Sequence, residues 1–166
     1  MQASVSLQER LAAIRHDLAD AQRRLLETLS RVSSDGWSQR SPTNPGWTIH
    51  ELLTHLTTAE SSFVPSLERM ASGKGGVPDD FDPNRWNAGQ LRRRAEAQQS
   101  PEQLRLELES AHAAMLTLLD SLDATALDQR GRLSSGITGS TEDGFRLVAS
   151  HKRAHTQDIA AALGDR

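Results

Sequence analysis

Residues 141–163 read TEDGFRLVASHKRAHTQDIAAAL, and the fold follows from how this stretch is read. Phe145, Val148, Ile159 and Leu163 keep to the three- and four-residue steps that line one face of an α-helix. Thr141 is the expected cap. The stripe runs through His151 and His155, which at a spacing of four lie about 40° apart around a helix and project from one face. The same period recurs toward the N-terminus. Leu7, Leu11, Ile14, Leu18, Ala21, Leu25, Leu29 and Val32 predict a first helix over 6–31. Thr48 with Glu51 three residues on has the form of a capping box, opening a second helix that turns Ile49, Leu52, Leu53, Leu56, Ala59, Phe63 and Leu67 inward. That helix should reach Ala71, with a kink near Ser61 or Ser62 imposed by Pro65. Ser100-Pro101-Glu102-Gln103 is a strong start signal for a third long helix, carrying Leu104, Leu108, Ala111, Met115, Leu118 and Leu122.

The connections are long. Residues 33–46 hold Pro42, Asn44, Pro45 and Gly46, all breakers, and Gly73-Lys74-Gly75-Gly76 opens a flexible, Asp-rich link to Pro83. Residues 84–98 could form a short polar helix, and 131–140 reads as a second long loop. No segment alternates long enough to be a strand, and no repeat of 20–50 residues is present. Four apolar stripes are hidden most simply in an all-α four-helix bundle with long connections and a short extra helix, expected as a single domain over 1–166.

Composition narrows the function classes. The 166 residues carry 19 Lys+Arg against 22 Asp+Glu, a net charge of −3, with no long run of either sign. That argues against nucleic acid or an anionic membrane surface as the main partner. Mean hydropathy is −0.55 and no apolar run approaches the roughly 20 residues of a membrane span. Residues 8–20 mix charged and apolar side chains instead of forming a signal segment, so a cytoplasmic location is expected. With no cysteine, the chain cannot supply a thiolate ligand or nucleophile; thiol chemistry would need histidine ligands and a thiol from outside.

Six histidines therefore carry the chemical interest. His55 shares a face with Leu52 and Ala59, so it too points inward. Three inward imidazoles on two helices can converge on one zinc, nickel or iron ion, leaving a coordination position open. The competing reading is three core histidines bonded to backbone carbonyls. His50 and His55 match the zinc-protease motif H-E-x-x-H only superficially: a spacing of five rotates the rings about 140° apart. Glu51 serves as the helix cap, although it could also orient His55. His16 is expected in solvent, and His112 at the edge of the core without chemistry. Lys152, Arg153 and Arg85 are candidate carboxylate holders whose alternative is a solvated helix face. Trp47 is expected to pack against the bundle end, as the apolar residue before a capping Thr does, instead of stacking on a ligand.

Gly46-Trp47-Thr48, His55-Leu56 seven residues on, and a last helix with His151-x-x-x-His155 together resemble the DinB-like superfamily, which includes bacillithiol transferases and the N-terminal domain of mycothiol-dependent maleylpyruvate isomerases. The resemblance spans about 7–163. It implies a divalent metal, Zn, Ni or Fe, held by His55, His151 and His155, and a homodimer. It further implies a metal-dependent transferase activating a low-molecular-weight thiol, with mycothiol or bacillithiol as cosubstrate and a small electrophile as partner. The sequence has no counterpart of the isomerases' C-terminal domain, which points away from that particular reaction. Two alternatives stand beside thiol transfer: a non-catalytic, dimeric metal-binding bundle of a stress response, and a metal-dependent hydrolase.

Overall fold

A computed structural model describes residues 6–43 and 46–164. Among these residues six α-helices form: α1 (Leu7–Leu29), α2 (Ile49–Ala71), α3 (Pro83–Ala97), α4 (Pro101–Asp120), the single-turn α5 (Ala124–Asp128) and α6 (Thr141–Ala162). The four long ones, α1, α2, α4 and α6, make the bundle. α1 packs mainly on α6 and α2 on α4, while the α2–α6 contact joins the two pairs. The fold is thus the all-α four-helix bundle that the periodicities require, with α3 as the short extra helix. Of the expected breakers, Asn44 and Pro45 lie outside the described residues.

Helix starts are set by side chains that satisfy free backbone N–H groups. Ser6 with Glu9, Thr48 with Glu51 and Ser100 with Gln103 each form a reciprocal capping box. The last helix begins one residue earlier than expected. Its cap is Ser140, paired with Asp143, whereas Thr141 would have Gly144 at the third position and no side chain to answer it. Thr141 is instead buried, its hydroxyl donating to the Gln129 carbonyl at 3.2 Å.

Two connections are more ordered than their composition suggests. Within 131–140 lies most of a short antiparallel ribbon, β1 (Arg130–Arg132) against β2 (Thr138–Ser140), with Gly131 opposite Gly139. Three-residue strands are too short to show an alternation, so the pattern that identifies strands had nothing to act on. The Gly-rich link after α2 is docked on this ribbon: the Val77 N–H donates to the Arg132 carbonyl at 2.8 Å, and Arg132 Nη1 donates to the Pro78 carbonyl at 2.6 Å. Gly76 is required there by close approach, since a Cβ would sit 1.9 Å from the Arg132 oxygen.

The buried apolar side chains divide into two clusters. One holds Leu18, Leu67, Met115 and Phe145 among others, and the second holds Leu25, Leu56, Leu108 and Ile159. Each long helix also contributes a side chain to one connected polar network: Gln22, Glu60, the half-buried His112 and Lys152. Lys152 is 1% exposed and Glu60 2%, and Lys152 Nζ lies 2.6 Å from Glu60 Oε2. Lys152, read from sequence as a candidate carboxylate holder or solvated residue, is therefore a core residue.

Candidate metal centre

His55 on α2 and His151 and His155 on α6 meet where these helices cross. Each offers one ring nitrogen, and the three lie within 4.8 Å of one another. The Nε2 atoms of His55 and His151 are 2.9 Å apart, and the ring centroids are separated by 4.6–4.9 Å. Three nitrogens each about 2.1 Å from one ion would be spaced by roughly 3–3.5 Å, so the donor set suits a metal with small side-chain adjustments. Among the described residues the three rings bond one another and Asp158, with no bond to a backbone carbonyl, and they approach edge to face.

Electrostatics favour lone pairs over protons at this point. Burial pushes the His55 imidazole down from 6.5 to about 4, and the charge of His155 acts in the same sense. His151 is held well below its ordinary value, first by burial and then by His155, His55 and Lys152. Neutral imidazole is the form that binds metal. His155 is oriented by a residue absent from the sequence-based candidates: Asp158 Oδ2 lies 2.9 Å from His155 Nδ1. That leaves Nε2 to face the cluster, the carboxylate–histidine arrangement that fixes the tautomer of a ligand. It also places a negative charge beside a site that would otherwise gather only positive charge. The i, i+3 spacing of His155 and Asp158 on one helix was the available signal.

The triad forms part of the wall of a cavity of about 800 Å³. α2 supplies Thr58, Ser61, Ser62 and Phe63; α3 supplies Trp86, Asn87, Gln90 and Arg94; Val77 and Phe81 of the docked link and Ser134 and Ser135 of the ribbon turn complete much of it. α3 has no buried residue of its own, and its 86, 90, 94 face is spent on this wall. Trp47 packs against the Leu25–Ile159 cluster, as expected, but its ring also lies 5.0 Å from that of His55 and borders the cavity. Backbone bonds hold it there, Ser41 N–H donating to the Trp47 carbonyl and Ile49 N–H to that of Gln39, both at 2.9 Å.

The remaining candidates fall elsewhere. His50 Nε2 contacts the Gln99 carbonyl at 2.9 Å, away from the triad, in keeping with its five-residue offset from His55. Glu51 bonds the Thr48 N–H at 2.8 Å and is a cap. His16 is exposed, whereas His112 reaches the interior polar layer. Arg153 pairs with Asp17 and Arg85 is exposed; neither borders the cavity. Among the described residues the cation that does is Arg94, held by Glu107 through two bonds of 2.7 and 2.8 Å.

A four-helix bundle whose α2 and α6 gather a histidine-only cluster against a cavity is the class of protein defined so far. The family model of the DinB superfamily matches residues 17–159, and the chain belongs to that superfamily. Among solved structures, it is similar to the mycothiol-dependent maleylpyruvate isomerase, with a TM-score of 0.73 and 18% identity over 95% of this chain. The chain spans 62% of the length of that protein. YfiT from Bacillus subtilis, described as a probable metal-dependent hydrolase with an unusual four-helix bundle topology, matches with a TM-score of 0.69 and 16% identity over 100% of this chain and 94% of that one. At these identities the likeness shows the fold. No curated protein matches the sequence.

Proposed function

We propose that this chain binds a divalent ion, Zn, Ni or Fe, through His55, His151 and His155 and is a transferase that activates a low-molecular-weight thiol toward an electrophile. The observation that carries the reading is the convergence of three imidazoles on a large cavity in a chain without cysteine. When bound, an ion held by neutral imidazoles alone keeps its full positive charge and supplies a Lewis acid that lowers the pKa of a thiol or water on its open side. The chain's own residues do the rest. Asp158 holds His155 in the ligating tautomer, Trp47 and Phe63 screen the rings from water, and the serine, Asn87 and Gln90 groups of the wall bond the organic part of the thiol, for which mycothiol and bacillithiol are the candidates.

A second reading, metal-dependent hydrolysis at the same residues, is favoured by the near full-length match to YfiT. Protein purified without an affinity tag is expected to carry about one ion per chain, falling below about a fifth of that in His55→Ala. Mycothiol, bacillithiol and glutathione are then each offered with monochlorobimane: conjugate formation by the loaded parent supports thiol transfer. Ester hydrolysis without thiol turnover favours the second reading. Metal below a fifth per chain in the parent refutes both, and metal without turnover points to a non-catalytic bundle.

A further inference from the structure

The interior polar layer lies beside the histidine triad. Lys152 is the residue after His151 and three before His155, and Glu60 is five after His55. Glu60 is gripped from two helices, by Lys152 Nζ at 2.6 Å and His112 Nδ1 at 3.2 Å. Lys152 Nζ also donates to Gln22 Oε1 at 2.7 Å, so all four long helices are tied at one level. Among the described residues the Gln22 Nε2 group has no partner, so the network is maintained with a buried donor left unsatisfied. A buried ion pair is poor at adding stability, because desolvating two charges offsets most of their attraction and apolar replacements of like volume are often neutral or better. Its best-attested use is to specify register, as one polar residue does in a coiled-coil seam. An apolar stripe tolerates sliding, since one leucine contact resembles the next; a layer in which Glu60 has to meet Lys152 and His112 does not.

We propose that the Glu60–Lys152 pair, with Gln22 and His112, is the positioning element of the histidine triad: it sets the register of α6 against α2 and thereby the separation of His55 from His151 and His155. The inference rests on the metal-site reading for its consequence, though not for the geometry. α2 and α6 carry all three rings, so an axial slip of one helix moves His151 and His155 together relative to His55. A one-residue slip of about 1.5 Å is comparable with the whole tolerance of a coordination sphere.

The test replaces the pair together, Glu60→Leu with Lys152→Met, so that neither charge is stranded. The readouts are the melting temperature, Co²⁺ affinity and ligand-field spectrum, and the ¹⁵N shifts of the three imidazoles in metal-free protein. The expected result is a folded variant melting at or above the parent, with Co²⁺ affinity down at least tenfold, an altered visible band and displaced imidazole shifts. Parent-like affinity, spectrum and shifts in the folded variant overturn the proposal. If the parent itself binds no Co²⁺, the metal-site reading fails, and the imidazole shifts still decide the positioning: displaced supports it, unchanged overturns it. Should the double variant not fold, Glu60→Gln is measured in its place, leaving an amide oxygen for Lys152. Loosened imidazole shifts in that variant support the proposal and parent-like ones overturn it.

Discussion

Acidifying the metal-free protein from pH 6.5 to 5 should destabilise it through the triad. In the unfolded chain His55 takes up its proton near its ordinary value of 6.5, but in the folded protein only near about 4. Between those values the unfolded state binds more protons, so the stabilisation is fully present above 6.5 and is lost as pH falls toward about 4. At about 1.4 kcal/mol per pH unit the whole gap is worth about 3 kcal/mol, of which about half disappears between pH 6.5 and 5. His151 shifts in the same direction and steepens the loss. Carboxylates act in the same sense but lower on the pH scale: hydrogen bonds from Arg94 hold Glu107 down and the Ser140 N–H holds Asp143 down, from starting values of 4.5 and 3.8. The window from 6.5 to 5 thus belongs to histidine. Urea unfolding in EDTA, followed by helical circular dichroism, should show the midpoint falling by roughly 1 M for a slope of about 2 kcal/mol per molar. His55→Leu should flatten the dependence. A parent midpoint unchanged over this window, or the full slope retained in His55→Leu, would refute the reasoning.

Three other outcomes are expected. Asp158→Asn should keep the fold but lower metal affinity by about 10–100-fold, measured by competition with a chromophoric chelator, because His155 loses the carboxylate that orients it. Titration with Co²⁺ or Ni²⁺ should quench tryptophan fluorescence, and Trp47→Phe should remove most of that response while Trp37 and Trp86 remain, since the Trp47 ring lies 5.0 Å from that of His55. Gly76→Ala forces a methyl to within 1.9 Å of the Arg132 carbonyl and should cost about 1–3 kcal/mol, read as a melting temperature several degrees lower; an unchanged melt would mean that the link is not seated on the ribbon.

Much of this protein was legible in its sequence because the signals are local. A capping box is decided within four residues, and Thr48 with Glu51 or Ser100 with Gln103 needed no knowledge of the rest of the chain. The four-residue spacing of His151 and His155 and the inward position of His55 follow from helix geometry alone. The sequence therefore determined the bundle, the caps of α2 and α4 and which imidazoles share faces, while the cap of α6 fell on Ser140 and not on Thr141. Gln22, Glu60, His112 and Lys152 each lie four residues after Leu18, Leu56, Leu108 or Val148, yet Lys152 was expected as a carboxylate holder or on a solvated face and His112 at the core edge. Reading them as core residues required knowing that they meet, since a charge is tolerated in an apolar interior only when its partner arrives from another helix. The tertiary structure alone decided those meetings: Lys152 with Glu60, Trp47 over His55, and the glycine-rich link seated on a ribbon too short to announce itself. Each joins segments distant in the chain, and periodicity describes how a helix faces the core but not what faces it from the other side.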